Sequence, residues 1–196
     1  MIIEIAGYSS GLAILISFVP YVRDIFLGKT KPERMSWLIW AILGLILFFS
    51  QLAKGASDSL IMTGVMVAGD LFVFILAIKY GFGGFLKRNI VALIAAAIGL
   101  FLWYVTKEAA FALFIAMFID AIGVILTVIK SYEKPATETV SSWIFCAIGG
   151  LLGCVAVGSF NFILLAFPFY IFLVSVSILI SIKLGFQRIA SKPTKF

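Results

Sequence analysis

Along the chain, apolar runs of about 20 residues alternate with short clusters of charged, Gly, Pro and Asn positions. A helix needs roughly that length to cross the hydrocarbon core of a bilayer. Seven such runs can be marked, each bounded by charges or turn residues. They cover Ile3 to Val22, Met35 to Ala53, Ser59 to Lys79, Asn89 to Thr106, Ala109 to Ile129, Val140 to Gly158 and Phe160 to Ile182. The break between the last two rests on the stretch from Gly158 to Asn161 alone. The pattern predicts an all-α integral membrane protein of seven transmembrane helices.

Composition strengthens this reading. The 196 residues are 63% hydrophobic and 12% charged, with a mean hydropathy of +1.20. Soluble domains are nearer half apolar and a quarter charged, so the excess apolar surface is expected to face lipid. The net charge of +6 does not point to nucleic acid, because the basic residues are dispersed at the ends of apolar runs. The opening stretch MIIEIAGYSS has no Lys or Arg, so it lacks the basic region of a secretory signal. Cys146 and Cys154 lie eight residues apart, roughly 12 Å along one helix, too far for a disulfide. Both read as small packing residues.

The basic residues also orient the helices. Arg23, Lys29, Lys31, Arg34, Lys79, Lys87, Arg88, Lys130, Lys134, Lys183, Arg188, Lys192 and Lys195 would share one side, and only Lys54 and Lys107 the other. A split of 13 against 2 among the 15 puts the N-terminus outside and the C-terminus in the cytoplasm. The expected location is the cell (inner) membrane, multi-pass.

The chain repeats itself. Ile78-Lys79-Tyr80-Gly81-Phe82 recurs as Ile182-Lys183-Leu184-Gly185-Phe186, Lys31-Pro32 as Lys134-Pro135, and Ser36-Trp37 as Ser142-Trp143. Gly44 then corresponds to Gly150 and Gly55 to Gly158. Four coincidences in one order at nearly one offset imply duplication. Residues 1–82 and 108–186 are expected to be three-helix repeats, joined by a linker helix over 83–107 and followed by a cytoplasmic tail at 187–196. One intervening helix makes the repeats parallel, an arrangement that in transporters encloses a pathway.

The first repeat carries Pro20-Tyr21, then the basic loop Gly28-Lys29-Thr30-Lys31-Pro32, then Ser36 and Trp37. With the three-plus-one-plus-three layout, this resembles the SWEET sugar carriers and the wider PQ-loop clan, with Tyr21 where Gln is usual. Gly123 stands at the position matching Pro20, so the proline set that serves as a hinge in sugar carriers is incomplete. The Thr30-Lys31-Pro32 and Ser36-Trp37-Leu38-Ile39-Trp40 segments are also similar to a group of small bacterial membrane proteins. Trp37 and Trp40 have the spacing of the Trp pair in nicotinamide riboside carriers, but at the start of a span they read as interfacial anchors.

Asp70 and Asp120 fall near the middle of their spans, where a carboxylate costs at least ~2.5–3.5 kcal/mol and normally faces a cavity or a partner. Either could take up and release a proton, so proton coupling is an expectation. The two are not repeat mates, since Asp120 matches Ser17 and Asp70 matches Val174. A site shared by them would be asymmetric. Polar neighbours that could join it are Gln51, Thr63, Tyr170, Ser175 and Ser177. Each alone reads equally as a helix-to-helix hydrogen bond. Pro168 and Gly64 interrupt corresponding places in the two repeats, and with Pro20 and Gly123 they are the hinge candidates.

No His, nucleophile–base pair, phosphate loop or metal-ligand cluster is present, so no enzyme activity, cofactor or metal is expected. Asp70 in Gly-Asp-Leu and Asp120 in Ile-Asp-Ala do not resemble intramembrane aspartyl protease motifs. The expected function is a carrier moving a small neutral or weakly polar solute, sugar- or vitamin-like, by alternating access. The alternative is a non-transporting bundle acting as receptor, chaperone or assembly partner through the loop carrying Lys29, Lys31 and Arg34.

Overall fold

In the computed structural model the described residues are 2–53, 59–83, 109–158, 160–191 and isolated positions between 94 and 105. They are all-helical, with one isolated bridge between Glu33 and Phe82 and no strand among them. Six long helices are described: α1 (Ile2–Phe26), α2 (Arg34–Ala53), α3 (Ser59–Tyr80), α4 (Ala109–Glu133), α5 (Val140–Ala156) and α6 (Phe162–Ala190). A 3-10 turn, Pro135–Thr137, joins α4 to α5. The expected linker helix over 83–107 and the tail beyond Ser191 lie outside the described residues, apart from Gly83 and exposed helical positions such as Phe101 and Tyr104.

Segments Ile2–Phe26, Thr63–Tyr80 and Leu164–Ala190 are long and apolar enough to cross a membrane. In hydrocarbon a helix suits such segments because it satisfies its backbone groups internally. Three helices overrun their apolar runs: α1 continues to Phe26, α4 to Glu133 and α6 to Ala190. Charged residues do not interrupt a backbone ladder, so the helices extend into the polar layer. What stops α1 is Gly28, whose φ of +69° is left-handed, and Pro32 beyond it. A left-handed Gly158 likewise follows α5.

The helices form a closed ring in the order α1, α3, α2, α4, α6, α5 and back to α1. Large apolar side chains point outward on every one of them, including Val19, Phe49, Ile75, Phe118, Leu151 and Phe169. Buried polar side chains lie within, among them Ser10, Ser17, Thr63, Asp70 and Ser175. This distribution, apolar outside and polar inside, suits a lipid surround.

One end of the ring is tied by its loops. Lys31 N donates to Thr137 O (3.2 Å), and the Thr30 and Thr139 hydroxyls lie 2.5 Å apart. Arg34 caps the end of α3, donating to Ala77 O, Ile78 O and Gly83 O. Arg188 does the same for α4 at Tyr132 O and Glu133 O. Exposed carbonyls at helix C-termini are natural partners for cations. Lys130, counted in the sequence with the loop cations, is instead buried and paired with Glu138.

Candidate functional site

The ring surrounds a partly open cavity of about 80 Å³, enough for several waters or a small solute. All six helices contribute to its wall, which includes Ser17, Asp70, Asp120, Ser142, Tyr170, Val174 and Ser175. Both aspartates, together with Ser17 and Val174, line the same space.

Asp70 projects from α3 and is buried, 6% exposed. Asp120 projects from α4 and accepts a 2.5 Å hydrogen bond from Tyr170 Oη on α6. No hydrogen bond or ion pair to Asp70 exists among the described residues, and no Lys or Arg among them lines the cavity. One carboxyl group is thus held by a protein donor, while the other faces the cavity without one.

Toward the end tied by the loops, the cavity is floored by aromatic rings. Tyr21 packs on Trp37 (5.1 Å between centroids), Trp37 on Trp40 (5.0 Å), Trp40 on Trp143 (6.2 Å) and Trp143 back on Tyr21 (6.3 Å). The tilted and edge-on arrangements are those favoured by ring quadrupoles. Trp37 and Trp40 are only 5% and 8% exposed. They are interior residues rather than the interfacial anchors their position at a helix start suggests. A helix begins at the membrane surface, but which side of it faces the bundle is decided by packing.

Beneath this floor lies a buried polar collar. Ser36 Oγ lies 3.0 Å from Glu33 Oε2 and 2.8 Å from Gly123 O, its single proton serving one of these acceptors at a time, and accepts from Thr127 Oγ1 (3.1 Å). Across the ring, Glu138 accepts from Trp143 Nε1 (3.0 Å) and from Lys130 Nζ. The collar fixes two helix starts and, through Trp143, one edge of the floor.

The polar candidates separate clearly. Asp70, Asp120, Thr63, Tyr170 and Ser175 line the cavity. Ser177 does not: it is exposed, and its hydroxyl bonds Leu173 O on its own helix. The Gln51 side chain lies outside the described residues. Among the hinge candidates, Pro168 is buried within α6 and Pro20 is partly buried within α1. A Cβ at Gly64 would lie 3.2 Å from Phe48 Cε2, and one at Gly123 would lie 3.1 Å from Trp40 Nε1, so both are places of close helix approach. In the loop, Lys29 and Lys31 are exposed, while Arg34 is occupied with the carbonyls of α3.

Several wall residues were not singled out in the sequence, notably Ser17 as a lining group, Ser142, Cys146 and the aromatic floor. A signal for the floor existed: the Ser-Trp pair at Ser36-Trp37 recurs at Ser142-Trp143, and both Trp side chains are buried in the floor. Comparison with protein-family models, curated proteins and solved structures finds no match for this chain.

Proposed function

We propose that this chain is a multi-pass inner-membrane carrier in which two parallel three-helix repeats move against one another around the central cavity and pass a small solute by alternating access. The observation that carries the reading is a cavity between the two triplets with the buried carboxyl of Asp70, without a hydrogen-bond partner among the described residues, on its wall. Intramembrane carboxyl groups cost enough that they normally serve an ion, proton or substrate path. Asp70 is the group that would exchange a proton during the cycle.

Packing supports the duplication. Exchanging α1 with α4, α2 with α5 and α3 with α6 maps the ring order onto itself. Close approaches repeat as well: Gly44 of α2 abuts Val67 of α3, and its mate Gly150 of α5 abuts Pro168 and Phe172 of α6. A seventh crossing is supported by the described ends flanking residues 84–108. Phe82 is bonded to Pro32 and Arg34 at the tied end, whereas the early part of α4, at Ile115, packs against a cluster that runs along α2 from Ile39 to Leu47. An additional span between opposite ends is what a linker helix in a SWEET-like layout requires. The aromatic floor and collar would be the closed gate on the cytoplasmic side.

The second reading, a docking bundle without transport, draws on the exposed Lys29 and Lys31. It leaves the buried Asp70 without a role. A ligand thermal-shift screen of sugars, nucleosides, vitamins, amino acids and amines on purified protein, followed by proteoliposome flux for each hit, separates the two. A carrier yields a hit that is also moved and that depends on Asp70, tested with Asp70→Asn. Hits that bind without crossing favour the docking bundle.

A further inference from the structure

The cavity wall has two chemical features that a neutral solute would leave unused. The first is charge of one sign: Asp70 and Asp120 line it with no Lys or Arg among the described residues. The second is aromatic: Tyr21, Trp37, Trp40 and Trp143 pack into its floor. Tyr21, Trp37 and Trp40 are 2%, 5% and 8% exposed, and all line the cavity.

We propose that the cavity binds a small organic cation, a short amine, with its ammonium toward Asp70 and the aromatic floor. The proposal rests on the carrier reading and sharpens the neutral or weakly polar solute expected from sequence. An anion would meet two carboxyl groups, a repulsive arrangement that excludes it. A sugar would leave the charge of Asp70 uncompensated and would find few polar partners on a wall made largely of aromatic, Met and aliphatic side chains. A cation compensates the carboxylate and is attracted by the faces of Trp and Tyr rings, the strongest aromatic partners for ammonium groups. Met66 and Met117 on the wall can adapt to the alkyl part of such a molecule. Asp120, already bonded to Tyr170, is the supporting charge and Asp70 the primary one.

The protein carries its own reporter, since three of its four Trp residues, Trp37, Trp40 and Trp143, line the cavity. The full chain in detergent micelles is titrated with choline, ethanolamine and 3,3-dimethylbutan-1-ol, the uncharged carbon isostere of choline, and Trp emission is followed. The expected result is a saturable change with choline or ethanolamine, and binding of the isostere weaker by roughly tenfold or more. Asp70→Asn should bring the choline-to-isostere ratio close to one without lowering the unfolding midpoint, while Asp70→Glu should keep the discrimination. Equal binding of choline and its isostere, discrimination that survives Asp70→Asn, or no saturable change with either amine overturns the proposal. A glucose titration separates the levels: if glucose binds and crosses proteoliposomes while the amines do neither, the cation class falls and the carrier reading stands. If neither glucose nor amine binds or crosses, both fall.

Discussion

Tyr170 Oη donates to Asp120 Oδ2 at 2.5 Å, tying α6 to α4 beside the cavity. The bond lets a polar side chain of α6 and an acid of α4 satisfy each other where water is scarce. Hydrogen bonds to charged groups contribute about 1.5–3 kcal/mol, and the cost of orphaning one partner is of similar size. Tyr170→Phe should therefore lower stability by roughly that amount, read as a drop in the thermal midpoint in micelles. Asp120→Asn keeps an oxygen acceptor and should cost less. Equal losses from the two variants would show that the bond is not the stabilising element.

Asp70 predicts the opposite balance. It has no hydrogen-bond partner among the described residues, so Asp70→Asn removes a buried acid without breaking a contact. The variant should unfold at the same temperature or higher, while flux of any solute found in the screen is lost. The carboxylate penalty of at least ~2.5–3.5 kcal/mol sets the scale of the possible gain. A large fall in the midpoint would mark Asp70 as a structural residue.

The buried pair Lys130–Glu138 should behave as a unit. Glu138→Ala leaves an ammonium buried without its charge partner and strips Trp143 Nε1 of its acceptor, with an expected cost of about 3–5 kcal/mol. Lys130→Met combined with Glu138→Leu should recover most of that loss. A double-mutant cycle by thermal or denaturant unfolding measures the coupling, and additive losses would contradict it.

Close helix approach predicts an order among glycine variants. A Cβ at Gly150 would sit 2.7 Å from Phe172 N and 2.9 Å from Pro168 O, both backbone atoms. At Gly44 the nearest atom is the side-chain Cγ2 of Val67, at 2.8 Å. Overpacking costs about 1–3 kcal/mol. Gly150→Ala should fall at the upper end and Gly44→Ala lower, because a methyl group can rotate aside and a helix backbone cannot. Midpoints in the reverse order would show that α5 can shift relative to α6.

Loop pairing gives a test of topology. Lys31 N bonds Thr137 O, so the α1–α2 and α4–α5 connections share one face. In a chain with Cys146 and Cys154 changed to Ser, Lys29→Cys and Lys134→Cys should both react with an impermeant maleimide from the cytoplasmic side only. Labelling from opposite faces would contradict the pairing, and labelling of both from outside would reverse the orientation.

Much of this was legible in the residue pattern. Apolar runs between charges located the six described helices to within a few residues at most ends, because a hydrocarbon surround demands runs of a set length. The overruns at Phe26, Glu133 and Ala190 were missed because hydropathy marks where lipid ends, not where hydrogen bonding does. Depth along a helix could be counted, so Asp70 and Asp120 stood out as interior acids. Rotation about a helix axis could not. Ser177 and Ser175 are two residues apart, yet one points outward and the other into the cavity. Trp37 and Trp40 looked like surface anchors and are the floor of the site.

The sequence by itself determined a membrane-compatible helical chain, its polar interior candidates and its internal similarity, since each follows from one-dimensional spacing and composition. Only the tertiary structure decided which faces meet around the cavity, that Asp120 is held by Tyr170 while Asp70 has no such bond among the described residues, and that Lys130 is buried. Those outcomes depend on helix rotation and on partners 50 or more residues away along the chain, such as Tyr170 for Asp120, which no local pattern records.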